Sequence, residues 1–133
     1  MVSISKEAAG AVSPSLIGSF ICIGWGFLSI IAIGRYRPEE TLLHSGPSLI
    51  CGILGLIGVI IAVIDIIRMY ERTRGFILCM VTGITVFIYY TILYGIHSIL
   101  YPFYGGITLW GSILLQVGGL VGYFNKGKLI MFN

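Results

Sequence analysis

The run from Phe76 to Tyr101, FILCMVTGITVFIYYTILYGIHSILY, decides the fold. It carries no Asp, Glu, Lys or Arg. At ~1.5 Å per residue a helix of this length reaches across a ~30 Å hydrocarbon core with some tilt, so the run predicts a membrane-spanning helix. Along it one set of residues recurs in steps of four and three: Phe76, Met80, Gly83, Phe87, Tyr90, Tyr94, His97 and Tyr101. That spacing makes a seam for a neighbouring helix, apolar at its start and rich in hydroxyls at its end.

Three similar stretches surround it. Residues 14–34, 47–67 and 105–124 are each near the ~20 residues a span needs, and the central run contributes 76–100. The chain has 133 residues, 57% hydrophobic and 10% charged. A soluble domain of this size could not hide so much apolar surface, so lipid is the expected solvent. The reading is an all-α membrane protein: residues 1–133 as one domain, with four transmembrane helices in an antiparallel up-and-down bundle.

Charge placement supplies the expected topology. Lys6, Arg68, Arg72, Arg74, Lys126 and Lys128 fall before span 1, between spans 2 and 3, and after span 4, whereas only Arg35 and Arg37 fall in the other loops. This asymmetry predicts both termini on the cytoplasmic side of the cell membrane. The net charge of +3 is then a topology signal, and no nucleic-acid surface is expected. Glu7 and small residues occupy Met1–Ser13, where a secretory leader would be basic, so span 1 reads as a retained anchor.

Pro14 and Pro47 suit the first turns of spans 1 and 2, where no backbone N–H is needed. Gly52, Gly55 and Gly58 in span 2 lie three apart and let another helix come close. The segment Tyr101-Pro102-Phe103-Tyr104-Gly105 reads as a tight turn joining spans 3 and 4. In such a hairpin facing residues have numbers summing to about 205. Gly83 then meets Gly122, Phe87 meets Gly118, Tyr94 meets Gly111, and Gln116 comes near Tyr90. Gly118 and Gly122 also form a GxxxG pair. Residues 101–107 resemble the outer turn of the four-span family containing the B-cell surface antigen and the Fc-receptor β chain. That family has its turn between spans 1 and 2, here it falls between spans 3 and 4, and nothing is carried over from it.

Few residues suggest chemistry. Asp65 is the only acid within these spans, and an intramembrane acid points to function by default. Arg68, one turn on, is its expected partner. His44 and His97 are metal-binding candidates by type alone, because their spacing matches no metal motif. Tyr90, Tyr94, His97 and Tyr101 on span 3, with Ser112, Gln116 and Tyr123 on span 4, could line a pocket or glue helices together. Trp25 near mid-span needs an acceptor for its indole N–H. Cys22 and Cys79 are placed in the inner half and Cys51 near the outer face, all as packing residues. The apolar tail after Lys128 reads as an interfacial or docking segment.

No phosphate loop, HExxH or Gly-x-Ser-x-Gly motif occurs, so no catalytic residue, cofactor or metal is assigned. The expectation is a non-catalytic accessory or scaffold subunit, held in the bilayer against larger membrane subunits or in a homo-oligomer. Its small-residue faces on spans 1 and 2 are the expected contacts. A small oligomeric transporter using Asp65 and the Tyr90, Tyr94 and His97 stripe is the alternative. A subunit of a membrane metalloenzyme or redox complex is the third.

Overall fold

Hydropathy of this kind folds into helices because lipid offers no partner for backbone N–H and C=O groups. The computed structural model describes residues 2–4, 6–36, 39, 41–68, 73–95, 106–125 and 130–132. Its four helices are α1 (Lys6–Tyr36), α2 (Thr41–Ile67), α3 (Arg74–Tyr94) and α4 (Gly106–Phe124). All are long and apolar enough to cross a membrane. α1 packs against α2 and α4, and α3 packs against the same two, so the antiparallel helices close into a ring. This is an all-α, four-helix membrane protein. Its outward sides are apolar, with Ile31 exposed by 70% and Ile92 by 81%, as suits contact with lipid chains.

Two short strands, β1 (Val2–Ile4) and β2 (Ile130–Phe132), pair antiparallel, with Val2 opposite Phe132 and Ile4 opposite Ile130. The ribbon continues the antiparallel order of α1 and α4 beyond the bundle and gathers both ends of the chain on one side. The tail after Lys128 thus pairs through Ile130–Phe132 with the chain's own first residues.

Helix ends differ from the sequence expectation in two ways. α1 and α2 begin well before Pro14 and Pro47, so both prolines lie inside helices. Each removes one backbone bond, and the carbonyl four residues earlier must be satisfied otherwise. Gly10, four before Pro14, is exposed near the start of α1. Leu43, four before Pro47, finds a side-chain donor, described below. α3 ends at Tyr94, short of residue 100, because Gly95 turns to a φ of 85° and sends its N–H back to the Thr91 carbonyl. Residues 96–105, with His97, Tyr101 and the expected tight turn, lie outside the described residues, as does the Tyr94 side chain.

The register of α3 on α4 also differs from that of a tight hairpin. Gly83 meets Ser112 and Gln116, not Gly122, and Gly119 meets Phe76 and Met80. The partner of Gly83 thus lies about two turns nearer the start of α4 than a tight hairpin dictates. Gly111 and Gly118 face α1 instead of α3. A methyl at Gly118 would collide with Ser15 and stand 2.5 Å from the Ala11 carbonyl oxygen, and one at Gly111 would meet Ile21 and Cys22. Gly122 packs on the Phe76 ring, so Gly118 and Gly122 serve different neighbours. Gly18 and Gly26 of α1 and the glycines of α2 also turn inward, whereas Gly24 of α1 faces open space. Gly52 meets Ile23 and Cys22, Gly55 meets Ser19 and Leu115, and Gly58 meets Gly75 and Cys79. These α2 glycines join helices of this bundle, so the outward small-residue face expected of span 2 is used within it.

Candidate functional site

Most hydroxyls in the bundle are satisfied locally. Ser15, Ser19, Ser29, Ser45, Thr82 and Ser112 each donate to a carbonyl one turn back on their own helix. Among the described residues, the polar side chains that reach between helices are fewer, and most of them gather at two levels.

The first level lies where α2 ends and α3 begins, on the side of the chain termini. Asp65, 1% exposed, accepts from Nε and Nη2 of Arg74, both at 3.0 Å. This corrects the expected pairing with Arg68, whose side chain is exposed. The cause is the close approach of the two helices. Gly75 seats against the Gly58 carbonyl and Ala62, so the first turn of α3 lies over the last turns of α2. There the guanidinium fork matches both carboxylate oxygens.

The second level is a turn of α2 interrupted by Pro47. Without an N–H at Pro47, the Leu43 carbonyl has no partner within its helix. The Tyr89 hydroxyl of α3 donates to it at 2.7 Å. One residue on, the Tyr90 hydroxyl donates to the His44 carbonyl and accepts from the Ser48 N–H at 3.2 Å. It stands between the two groups that would close this turn of α2. Ser48 Oγ reaches the third helix, donating to the Cys22 carbonyl at 2.6 Å. Tyr90 is fully buried, and its ring meets the Tyr89 ring edge-on at a centroid distance of 5.1 Å.

Tyr90 therefore points to α2 and not to Gln116, whose amide donates to the Gly83 carbonyl at 3.3 Å. The two hydroxyl stripes do not meet across one pocket through Tyr90 and Gln116. Sequence reasoning missed the roles of Tyr89 and Ser48, and it set Pro47 at the start of a helix instead of inside one. The available signal was a proline inside a span longer than the membrane core, which obliges some neighbour to supply a donor.

Four more groups lie on the helices around the second level. Trp25 Nε1, Thr41 Oγ1, Thr91 Oγ1 and Thr108 Oγ1 are buried without a hydrogen-bond partner among the described residues. The acceptor expected for the Trp25 indole N–H is not found among the described residues. Cys22 abuts α2 at Gly52, beside Cys51, so these two share a level, against the expected split between membrane halves. Cys22, Cys51 and Cys79 are all buried free thiols. Among the described residues, no three His, Cys, Asp or Glu side chains come together to hold a metal.

No family model, curated protein or solved structure matches this chain. The functional reading therefore rests on the residues themselves.

Proposed function

We propose that this chain is a non-catalytic accessory or scaffold subunit of a larger assembly in the cell membrane, with both termini in the cytoplasm. The observation that carries the reading is Asp65. A relay or transport site needs a carboxylate free to take a proton or a cation, and this one is held side-on by a guanidinium. Gln116, Ser48, Tyr89 and Tyr90 are likewise engaged between helices. The cytoplasmic orientation is supported by Lys6, Arg68 and Arg74, which lie toward the paired termini.

With the inner glycines used within the bundle, the outer side of α1 is the face for a partner. It presents Phe20, Phe27, Leu28 and Ile31, and around Gly24 there is open space where a side chain of another helix could enter. Purification in mild detergent tests the reading. The expected result is a larger membrane subunit in fixed proportion, released by Gly24→Leu while the bundle's own melting temperature is unchanged. A lone chain, or a partner indifferent to Gly24→Leu, would overturn it.

The transporter reading draws support from Trp25, Thr91 and Thr108, buried polar groups with no partner. Liposome flux separates the two readings. A scaffold gives no proton-coupled flux, whereas a transporter gives flux that Asp65→Asn abolishes.

A further inference from the structure

We propose that the groove between α2 and α3, at the end away from the chain termini, is a phospholipid site that selects an amine headgroup. Glu39, Leu43, Gly46, Pro47, Ile50 and Tyr89 line an open groove of about 540 Å³. A second groove of about 300 Å³ adjoins it, sharing Leu43 and Tyr89 and extending to Ile92 and Leu93. Together they make one apolar channel on the outer side of the bundle. Its volume falls in the ~300–1,000 Å³ range of small-molecule sites.

Three features suit an acyl chain with an ammonium at its head. The first is depth. Glu39 precedes α2, which begins at Thr41, and Ile50 lies roughly 16 Å deeper at the rise of a helix. That distance is about half of a ~30 Å core, the depth of one leaflet. The second is the floor. A backbone carbonyl opened by proline would repel a hydrocarbon chain, but the Leu43 carbonyl is covered by the Tyr89 hydroxyl. Gly46, itself buried, adds no side chain to block the groove.

The third feature is charge. Glu39 is exposed at the mouth of the groove and forms no ion pair among the described residues. A carboxylate at headgroup level attracts an ammonium. Arg35, exposed at the end of α1, gives the same connection the sign that a phosphate wants. The pairing of signs fits a zwitterionic aminophospholipid better than an anionic lipid, which Glu39 would repel.

The test uses the full chain in nanodiscs of equal phosphatidylethanolamine and phosphatidylglycerol, followed by detergent release and native mass spectrometry. Wild type is expected to keep about one phosphatidylethanolamine per chain, several-fold over phosphatidylglycerol. Glu39→Gln, an exposed change that leaves the core untouched, should bring that preference to near unity while a lipid is still retained. Ile50→Trp, which fills the groove from its exposed wall, should expel lipid of either kind. Equal retention by wild type, preference for phosphatidylglycerol, or an unchanged preference in Glu39→Gln would overturn the proposal. So would undiminished lipid on a folded Ile50→Trp chain.

Discussion

The two ends of this bundle hold helices together by opposite means. Toward the chain termini, backbones touch: Gly75 lies on Gly58 and Ala62, Gly118 on Ala11 and Ser15, and Gly122 under the Phe76 ring. Ala8, Ala11, Ala62, Ile66 and Phe76 fill the space between them, and the buried Asp65 closes the α2–α3 corner by pairing with the exposed Arg74. Toward the other end α1 stays close to α2, with Gly26 on Leu49, but α2 and α3 stand apart far enough to admit tyrosines, and α2 is held open by Pro47 and by hydroxyls of α3. Close packing gains dispersion contacts in proportion to how near the backbones come, and it tolerates no added atom. Hydrogen bonding to an opened turn gives less per contact, but it lets the helix carry a groove.

The contrast is broken most sharply at the packed end. Gly75→Leu and Gly118→Leu force atoms against backbone, which cannot give way as a flexible side chain can. Overpacking at such positions should cost more than about 3 kcal/mol and prevent a single folded state. Gly24→Leu, in open space on α1, should change stability by less than about 0.5 kcal/mol. Thermal unfolding of the three variants in one detergent checks this. A mild effect of Gly118→Leu would mean that α1 and α4 are not in the contact described.

These ends were unequally readable in the sequence. The four helices were plain because hydropathy sums over ~20 residues and survives errors at the ends. Which neighbour a residue faces depends on a rotation of about 100° per residue and on where each helix stops. Gly95 ends α3 early, and Gly83 meets Ser112 and Gln116 where a tight hairpin would give Gly122. Asp65 shows the same limit, because a local rule favours Arg68 while its true partner, Arg74, is brought over it by the Gly58–Gly75 contact. Pro47 was visible, but its place inside a helix was not, since α2 begins at Thr41 instead of at the proline.

At the open end the two tyrosines should rank against their burial. Tyr90 is fully buried and bridges two backbone groups, yet His44 C=O and Ser48 N–H are natural helix partners and can close on each other when the hydroxyl is removed. Tyr90→Phe should therefore cost only about 1 kcal/mol. Tyr89 is half-buried and makes one such bond, but the Leu43 carbonyl it serves has no second donor while Pro47 is present. Tyr89→Phe should cost about 1–3 kcal/mol. In the Tyr89→Phe background, Pro47→Ala returns an N–H to Leu43 and should restore most of that loss. A double-mutant cycle measures the coupling, and additive effects would sever the link between the proline and the tyrosine.

The smallest effect probes what fills the space between the tyrosines and α4. Thr108 is fully buried and its hydroxyl has no partner, while the Ser48 hydroxyl, just as buried, donates to Cys22. An unpaired donor in an apolar interior is a cost, so exchanging Thr108 for Val should be neutral or stabilising by up to about 1 kcal/mol. Ser48→Ala should lose about 1 kcal/mol, since it breaks a bond that is made. Equilibrium unfolding in mild denaturant resolves the difference in sign. Should Thr108→Val cost as much as Ser48→Ala, the hydroxyl must meet an acceptor inside the bundle. The smallest group that could serve there is a buried water, accepting from the Thr108 hydroxyl and donating onward to a carbonyl.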